Sequence, residues 1–350
     1  MPGLEELAME EIRAAIPEAR PITSFRRFDD RTSILEFSGT RQTRLWLRLR
    51  TVEDVFILAA RGRDIRHGSA GLSDISAVVL KAARVDDALR GFMQQRRAAP
   101  KTFRVVARLS GAQGFRRVDA QSAVESALRQ RWRGVRPASG DEADVEAWLS
   151  IVGGMALVGV RVSGGEMRAL PEGVRPLPGS LKPAVARAMV LLSEPKPTDF
   201  VVDPFCGAGT LLIERGLTEE FAALLGGDSD RSAAQRARVN ARAAGVNMAV
   251  KQWDALELPL ETASVDVILT NPPFGRQFGL PDGAVDPAAL YARFLSQVGR
   301  VLRAEGRAAI LTAAQDALEG ALAGTGLRVQ RRVGLGLRGL PATIYLLRRG

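Results

Sequence analysis

The 350 residues include one cysteine, Cys206, and one histidine, His67. A single thiol excludes a disulfide framework, so a cytoplasmic setting is the default expectation. One imidazole excludes a histidine-based metal centre on count alone, and no metal site is expected. Long hydrophobic runs are missing as well. The longest apolar stretch, Ile151 to Val160, is about half of what a membrane helix needs. The opening MPGLEELAMEEI is acidic and amphipathic, without the basic region and apolar core of a signal peptide. Aromatic residues make up only 5% of the chain, yet hydrophobic residues reach 46%, the proportion of a globular protein. A chain of this length is expected to form two or three domains.

Lysine is scarce too, at five of the 49 basic residues, so the net charge of +10 is nearly all arginine. Arginine and alanine are abundant throughout, so content carries less weight than placement. From Lys101 to Arg136 there are nine basic residues and two acidic ones, Asp119 and Glu125, a local net of +7. Such a cluster is either a solvated helical face or a phosphate-binding surface, because clustered cations supply sequence-independent affinity for nucleic acid. Arg116, Arg117, Arg129, Arg131 and Arg133 are the candidate phosphate ligands.

Periodicity divides the chain into three blocks. In residues 1 to 98, Leu4, Leu7, Ile12 and Ile16 lie at helical spacing, Thr32 to Phe37 reads as a strand, and Thr40 to Arg50 and Ser73 to Arg97 read as helices. The second block, 99 to 166, opens with a strand, Thr102 to Leu109, and a helix, Val118 to Trp132. Two strands follow, Val145 to Val152 and Met155 to Val162, joined by Gly153-Gly154 as a hairpin. Glycine and proline over 164 to 179 mark a linker, taken as 167 to 178.

From 179 to 350, a helix beginning at Leu181 leads into alternating strands and helices. The strands are Phe200 to Val202, Ala222 to Leu225, Ala249 to Trp253, Val265 to Thr270 and Arg307 to Leu311. Apolar strands spaced by helices imply a parallel sheet covered on both faces, an α/β fold. Gly326 to Leu335 and Pro341 to Leu347 have no helix between them and read as an antiparallel hairpin at the sheet edge.

Two motifs carry chemistry. Asp203-Pro-Phe-Cys-Gly-Ala-Gly-Thr210 lies between a strand and a helix, where glycines let a ligand approach the backbone and free amides favour its anionic part. No lysine is present for a P-loop, and Leu212 stands where a dinucleotide fingerprint wants a third glycine or alanine. Asp228 follows Gly207 by 21 residues, placing a carboxylate where ribose hydroxyls can donate to it. An adenosine ligand with a carboxylate and no phosphates fits this set, and S-adenosyl-L-methionine is such a ligand. The second motif, Asn271-Pro-Pro-Phe274, follows the strand Val265 to Thr270 at the C-terminal edge of the sheet, where open α/β sheets bind ligands. The Asn271 carboxamide oxygen and the carbonyl after it can accept both hydrogens of one amino group and aim its lone pair at a sulfonium methyl. In-line transfer then needs positioning and electrostatics, with no protein nucleophile. Phe274 offers a ring for a flipped base to stack on. Asp254, after the third strand, is expected at the adenine amino group. Cys206 lies in the cofactor loop with no second cysteine beside the base motif, and is read as packing; His67 is read as a surface or satisfied structural residue.

With Gly179-Ser-Leu-Lys-Pro183, Ala186, Ala188-Met189, Asp203 to Thr210 and Asn271 to Gly275 in place, the last block resembles the THUMP-domain guanine-N2 methyltransferases of RNA. Phe103 to Val162, with Arg117, Ala123, Val124 and Ala143-Asp-Val-Glu146, is similar to a THUMP domain, and residues 4 to 97 look like the ferredoxin-like domain that precedes it. The resemblance implies a ferredoxin-like α+β domain (1–98), a THUMP RNA-binding domain (99–166), the linker (167–178) and a class I, Rossmann-like methyltransferase domain (179–350). It implies that Asp203, Phe205, Gly207, Gly209, Thr210, Asp228, Asp254, Ala255 and Asn271 hold S-adenosyl-L-methionine, and that Asn271, Pro272 and Phe274 hold a guanine. The expected partner is tRNA, its 3′ end docked by the THUMP domain and its acceptor stem presented to the active site, with no membrane and no obligate protein partner. Two places depart from the family pattern. A β-strand normally precedes Gly3-Leu4-Glu5, which implies a start further upstream or the loss of that strand. Arginine normally follows Pro-Pro-aromatic-Gly after one variable residue, whereas here Arg276 comes one place early and Gln277 fills the slot.

Other readings share these motifs: a guanine-N2 methyltransferase of rRNA, a DNA adenine-N6 methyltransferase, a glutamine-N5 methyltransferase of proteins, or a THUMP protein that binds RNA without catalysis. Only 76 residues follow Phe274, too few beyond the sheet elements for a separate target-recognition domain, so recognition is expected from the basic N-terminal half. That argues against the DNA reading, and the same basic half argues against the protein substrate. Intact Asp203, Gly207, Gly209 and Asn271 argue against a non-catalytic protein.

Overall fold

The structure is a computed structural model, described for residues 1–22, 26–29, 32–140, 142–273, 286–337 and 339–350. The chain divides into two compact units, Ile12–Met167 and Met1–Glu11 with Arg168–Gly350. The division falls inside the first helix, α1 (Glu5–Ala15), whose opening turn carries Glu5 and Glu6 in favourable alignment with the helix dipole.

In the unit 12–167, four two-residue strands come first: β1 (Arg20–Pro21), β2 (Arg26–Arg27), β3 (Ser33–Ile34) and β4 (Phe37–Ser38). They pair antiparallel, β1 with β4 and β2 with β3. The single strand expected over Thr32 to Phe37 is thus two short pieces, and the helix expected over Thr40 to Arg50 is one turn, α2 (Thr43–Trp46). Next come β5 (Phe56–Gly62), α3 (Ser69–Lys81), α4 (Arg84–Arg96), β6 (Thr102–Leu109), α5 (Arg117–Arg131), β7 (Arg136–Pro137), β8 (Val145–Val152) and β9 (Met155–Arg161). The five strands form one sheet in the order β5–β9–β8–β6–β7. Alternation along β6 buries Phe103, Val105 and Ala107, and these pack with Ile75 and Val79 of α3, Val85 of α4, Val124 and Leu128 of α5 and Leu149 of β8. Gly153 and Gly154, at φ +53° and +74°, make the expected hairpin turn between β8 and β9.

This sheet crosses the boundary expected at 98/99. β5 belongs to the first expected block yet pairs antiparallel with β9 of the second. The cause is that α3, α4 and α5 bury their apolar faces in one common core with both strands.

In the unit holding residues 168–350, the elements are α6 (Pro183–Leu192), β10 (Phe200–Asp203), α7 (Thr210–Gly216), β11 (Ala223–Asp228), α8 (Arg231–Ala243), β12 (Ala249–Gln252), β13 (Val265–Thr270), α9 (Pro287–Val301), β14 (Leu302–Thr312), α10 (Gln315–Gly320), β15 (Leu327–Leu337) and β16 (Leu340–Arg349). The sheet order is β12–β11–β10–β13–β14–β16–β15. The first five strands are parallel, and β16 runs antiparallel to β14 and β15, so the closing hairpin sits at the edge as its missing helix predicts. The strand order reverses at β10 and β13, and the C-terminal ends of β11, β10 and β13 are neighbours, the place where such sheets bind ligands.

Two segments expected elsewhere belong to this unit. Leu4, just before α1, and Leu7 of α1, each 1% exposed, pack with Val333, Leu335, Ile344 and Leu346 of the edge hairpin and Val185 and Met189 of α6. Within the expected linker, 167 to 178, Val174 is buried with Val190, Val201 and Leu212. Among the described residues no helix is long and apolar enough to cross a membrane.

Candidate active site

The loop after β10 turns sharply because two of its residues occupy the left-handed region, Gly207 at φ +50° and Gly209 at φ +83°. Gly209 precedes the first turn of α7, whose first residue, Thr210, is buried. Space beside Gly207 is open: a Cβ built there meets no atom within 4 Å. Asp228, the last residue of β11, braces the loop by accepting from the Gly207 amide at 2.9 Å, while its other oxygen accepts from the Asp230 amide at 3.0 Å. An ionised carboxylate offers about four acceptor positions, so two remain for hydroxyls of a ligand.

Underneath, Cys206 donates its amide to the Gly227 carbonyl at 2.8 Å. Trp253 covers Gly227 so closely that a Cβ there would come within 1.7 Å of the indole, and the indole Nε1 donates to the Pro204 carbonyl at 3.2 Å. Asn240 is fully buried and donates to the Ala208 carbonyl at 2.8 Å and the Arg175 carbonyl at 2.9 Å, while accepting from the Arg175 amide at 2.9 Å. Every turn of the loop is therefore held from below, which leaves its outer face to a ligand.

Asp203 is buried, and burial pushes its carboxyl up to about 7. The Thr270 hydroxyl donates to its Oδ1 at 2.8 Å and the Phe205 amide donates to the same oxygen at 3.1 Å, both opposing that rise, while the negative charge of Asp228 adds to it. Thr270 ends β13 and is followed at once by Asn271, so this bond ties the glycine loop to the base of the Asn-Pro-Pro loop. The Asn271 Oδ1 is buried and has no hydrogen-bond partner among the described residues. An orphaned acceptor of this kind costs about 1–3 kcal/mol unless something donates to it, and an amino group is a suitable donor. Pro272 is buried beside it. Phe274, Gly275, Arg276 and Gln277 lie outside the described residues.

The remaining expected cofactor residues are placed as follows. The Phe205 ring packs edge-on against Phe294 of α9 at 5.1 Å. Asp254 is exposed and accepts from the Leu256 amide at 2.9 Å, and Ala255 beside it is buried. Cys206 is buried, and burial, then the carboxylates of Asp203 and Asp228, push its thiol up, as suits packing rather than nucleophilic chemistry. His67 is exposed.

The five arginines expected at phosphates divide into three groups. Arg117, Arg129 and Arg133 are exposed, with no ion-pair partner among the described residues. Arg116 is exposed but forks onto Asp119 at 3.0 and 2.9 Å at the start of α5. Arg131 is used by the fold: it donates to the carbonyls of Leu80 at 2.6 Å and Ala82 at 3.1 Å and to Asp86 at 2.9 Å, closing the junction of α3 and α4.

Sequence reasoning missed Thr270, Gly227, Asn240 and Trp253. Thr270 was visible as the polar end of an otherwise apolar strand; the other three had no local signal, because their partners are 26 to 65 residues away or are backbone atoms.

Known proteins resemble this chain in sequence and fold. Residues 173–339 match the family described as UPF0020, RMKL-like, methyltransferase domain. The chain is 36% identical over 189 residues to a mouse protein named tRNA (guanine(6)-N(2))-methyltransferase THUMP3, covering 49% of this chain and 37% of that one. It therefore spans well under two thirds of the mouse relative's length. A Thermus thermophilus protein named tRNA (guanine(6)-N2)-methyltransferase is 29% identical over 329 residues, 92% of this chain and 90% of that one. The crystal structure of TrmN from Thermus thermophilus superposes with a TM-score of 0.76 at 25% identity, covering 100% of this chain and 97% of that one. Residues 173–339 thus carry a methyltransferase domain of the UPF0020, RMKL-like family, with a class I, S-adenosylmethionine-dependent catalytic fold, and the chain as a whole is similar to proteins named tRNA guanine-N2-methyltransferases.

Proposed function

We propose that this chain methylates the exocyclic N2 of a guanine in tRNA, in the acceptor stem, with S-adenosylmethionine as the methyl donor. The single observation that carries the reading is the buried Oδ1 of Asn271, without a hydrogen-bond partner among the described residues, at the C-terminal edge of the sheet and next in the chain to a residue bonded to the glycine loop. Asp228 and the open face at Gly207 suit the adenosine, with Asp203, Phe205, Gly209, Thr210, Asp254 and Ala255 around it. When bound, the cofactor supplies an electrophilic methyl group. The chain's own work is to hold the acceptor. Asn271 Oδ1 and the Pro272 carbonyl accept the two N–H bonds of the guanine amino group, which draws its lone pair out of conjugation. The two prolines restrict the loop, so little reorganisation is left for the moment of transfer. Phe274 stacks on the base, worth roughly 1–3 kcal/mol.

In the same reading, residues 99–166 act as the THUMP domain and dock the tRNA 3′ end through Arg117, Arg129 and Arg133, with Arg116 available once it leaves Asp119. Residues 1–98 precede it as the ferredoxin-like part, 167–178 connect, and the protein works in the cytoplasm without an obligate partner. The relatives named as tRNA guanine-N2-methyltransferases support the substrate class.

The test is reconstitution with transcribed tRNA and labelled S-adenosylmethionine, followed by digestion to nucleosides. N2-methylguanosine in the acceptor stem is expected. Methylation at adenine N6 would overturn the base. Calorimetric binding of the cofactor and of tRNA without any transfer would favour a protein that binds RNA without catalysis.

A further inference from the structure

One basic surface is not absorbed by this reading, and it lies in the unit that carries the chemistry. Between Arg231 and Trp253 there are five basic residues, Arg231, Arg236, Arg238, Arg242 and Lys251, and not one acidic residue. Helix α8 buries Ala233, Ala234, Ala237, Asn240 and Ala241 and turns its opposite side outward. Arg231, Gln235, Arg238 and Arg242 fall at i, i+4, i+7 and i+11, a single stripe about 16 Å long at 1.5 Å per residue. Arg238 is tethered, donating to the Val250 carbonyl at 3.2 and 2.8 Å. Arg231, Arg236, Arg242 and Lys251 are exposed, and their side chains have no ion-pair or hydrogen-bond partner among the described residues.

Arginine is abundant here, so a solvated helix face is the competing explanation. Arg293 and Arg328 of this unit are likewise exposed without an ion-pair partner among the described residues, but five other arginines differ from those of α8. Arg331 pairs with Glu10 at 3.1 Å, Arg332 with Glu319 at 3.0 Å, Arg348 with Glu194 at 2.6 Å, Arg303 with Asp266 at 2.7 Å and Arg187 with Glu11 at 3.0 Å. Acids accompany arginine on those surfaces and are absent from the α8 stripe. Its position matters as well. Arg231 lies three residues beyond Asp228, and Lys251 is in register with Gly227 on the neighbouring strand, so the stripe starts beside the carboxylate that braces the glycine loop.

We propose that the outer face of α8, with Arg231, Arg236, Arg242 and Lys251, is a second polyanion-binding surface, which holds the phosphate backbone of the RNA substrate on the catalytic unit itself. This rests on the RNA reading above. Unpaired cations repeated along a rigid helix match the repeated charge of a nucleic-acid backbone and read no bases, so the contact adds affinity without sequence preference. It complements base capture at Asn271 by holding the strand near the reacting edge.

The test uses the full chain and transcribed tRNA. Wild-type transfer to guanine N2 is measured first; its absence overturns the substrate reading. The triple variant Arg231→Gln, Arg236→Gln, Arg242→Gln is then compared with a control that removes the same charge at paired positions, Arg331→Gln, Arg332→Gln, Arg348→Gln. The α8 variant is expected to bind tRNA at least tenfold more weakly, with the slope of log K against log salt shallower by roughly 0.7–0.9 for each phosphate no longer neutralised. Its calorimetric affinity for S-adenosylmethionine is expected to stay at the wild-type value, and the control is expected to keep the wild-type slope. If the triple variant does not fold, Arg242→Gln with Lys251→Gln carries the same expectation for two phosphates. Active wild-type enzyme with an unchanged slope in the α8 variants, or an equal weakening in the control, overturns this surface and leaves the guanine-N2 reading standing.

Discussion

The Thr270 hydroxyl donates to Asp203 Oδ1 at 2.8 Å in an interior where Asp203 is 1% exposed and Thr270 is fully buried. One bond therefore joins the last residue of β10 to the last residue of β13, and through them the glycine loop to the Asn-Pro-Pro loop. Both residues end adjacent parallel strands, so the spacing of the two loops is set by the sheet and secured by this hydrogen bond.

A pH dependence follows from the same pair. Burial lifts the Asp203 carboxyl to about 7, above the ordinary unfolded value near 4. The folded chain thus holds a proton between about pH 4 and 7 that the unfolded chain has released. Stability from this group is fully present below about pH 4 and is lost as pH rises through about 7, up to about 4 kcal/mol at 1.36 kcal/mol per unit. Denaturant midpoints of the cofactor-free protein between pH 4 and 8 should fall with pH more steeply than those of Asp203→Asn. Thr270→Val removes a donor that favours the ionised form, so the fall should move to higher pH, and Thr270→Ser should restore it. Parallel curves for wild type and Asp203→Asn would show that Asp203 titrates normally.

Gly207 and Gly227 should respond in opposite ways to the same added methyl group. At Gly207 a Cβ meets open space within 4 Å, so Gly207→Ala carries a backbone strain of roughly 1 kcal/mol and intrudes on ligand space. Cofactor affinity should fall at least tenfold with the fold retained. At Gly227 a Cβ would come within 1.7 Å of the Trp253 indole, so the ring must leave and its bond to the Pro204 carbonyl is broken. Gly227→Ala should lower Tm strongly, whatever ligand is present. Calorimetric titration beside thermal melts separates the two, and equal effects on both properties in both variants would contradict the placement of the loop.

The N-terminal residues should behave as part of the methyltransferase unit. Leu4 and Leu7 are 1% exposed against the edge hairpin and α6, so Leu4→Ala should cost about 2–5 kcal/mol. The cost should appear in the transition that S-adenosylmethionine protects, because binding stabilises only the unit that binds. A variant whose ligand-protected transition melts at the wild-type temperature would detach these residues from that unit.

Much of the catalytic unit was legible because its strands are apolar runs between helical periods. Val265 to Thr270 appears with the expected bounds, as does Thr102 to Leu109 in the other unit. The junction at Ala82-Ala83 was not legible. Alanine is a strong helix former and no breaker stands there, so Ser73 to Arg97 reads as one helix. The break is held by Arg131, about 50 residues away in sequence, whose guanidinium captures the carbonyls of Leu80 and Ala82. A tertiary contact overrides local propensity at that point. It also commits the Arg131 guanidinium to the fold, which charge counting could not reveal. The reach of the site was hidden in the same way: Trp253, just after β12, and Asn240 of α8 hold backbone carbonyls of the glycine loop from positions distant in sequence.

Asn271 separates catalysis from stability most sharply. A residue kept for the fold should weaken the fold when truncated. Here the Oδ1 is buried and accepts nothing among the described residues, so Asn271→Ala removes a desolvated acceptor that those residues leave unsatisfied. Stability of the cofactor-free chain should be unchanged or higher by up to about 1–3 kcal/mol. The rate should move the other way. If the carboxamide holds the target amino group chiefly in the transition state, single-turnover methyl transfer to tRNA should fall at least 10²-fold, as when one preorganised polar partner is removed. Affinities for tRNA and S-adenosylmethionine should hardly change, since phosphate contacts and the 203–210 loop supply them. Stopped single-turnover assays, a denaturant melt and two calorimetric titrations on one preparation cover all three quantities. A destabilised Asn271→Ala that still transfers methyl at close to the wild-type rate would mean that the asparagine belongs to the scaffold, and the reacting nitrogen would have to be held elsewhere. A collapsed rate with stability kept or gained is the signature of a group held ready for a substrate.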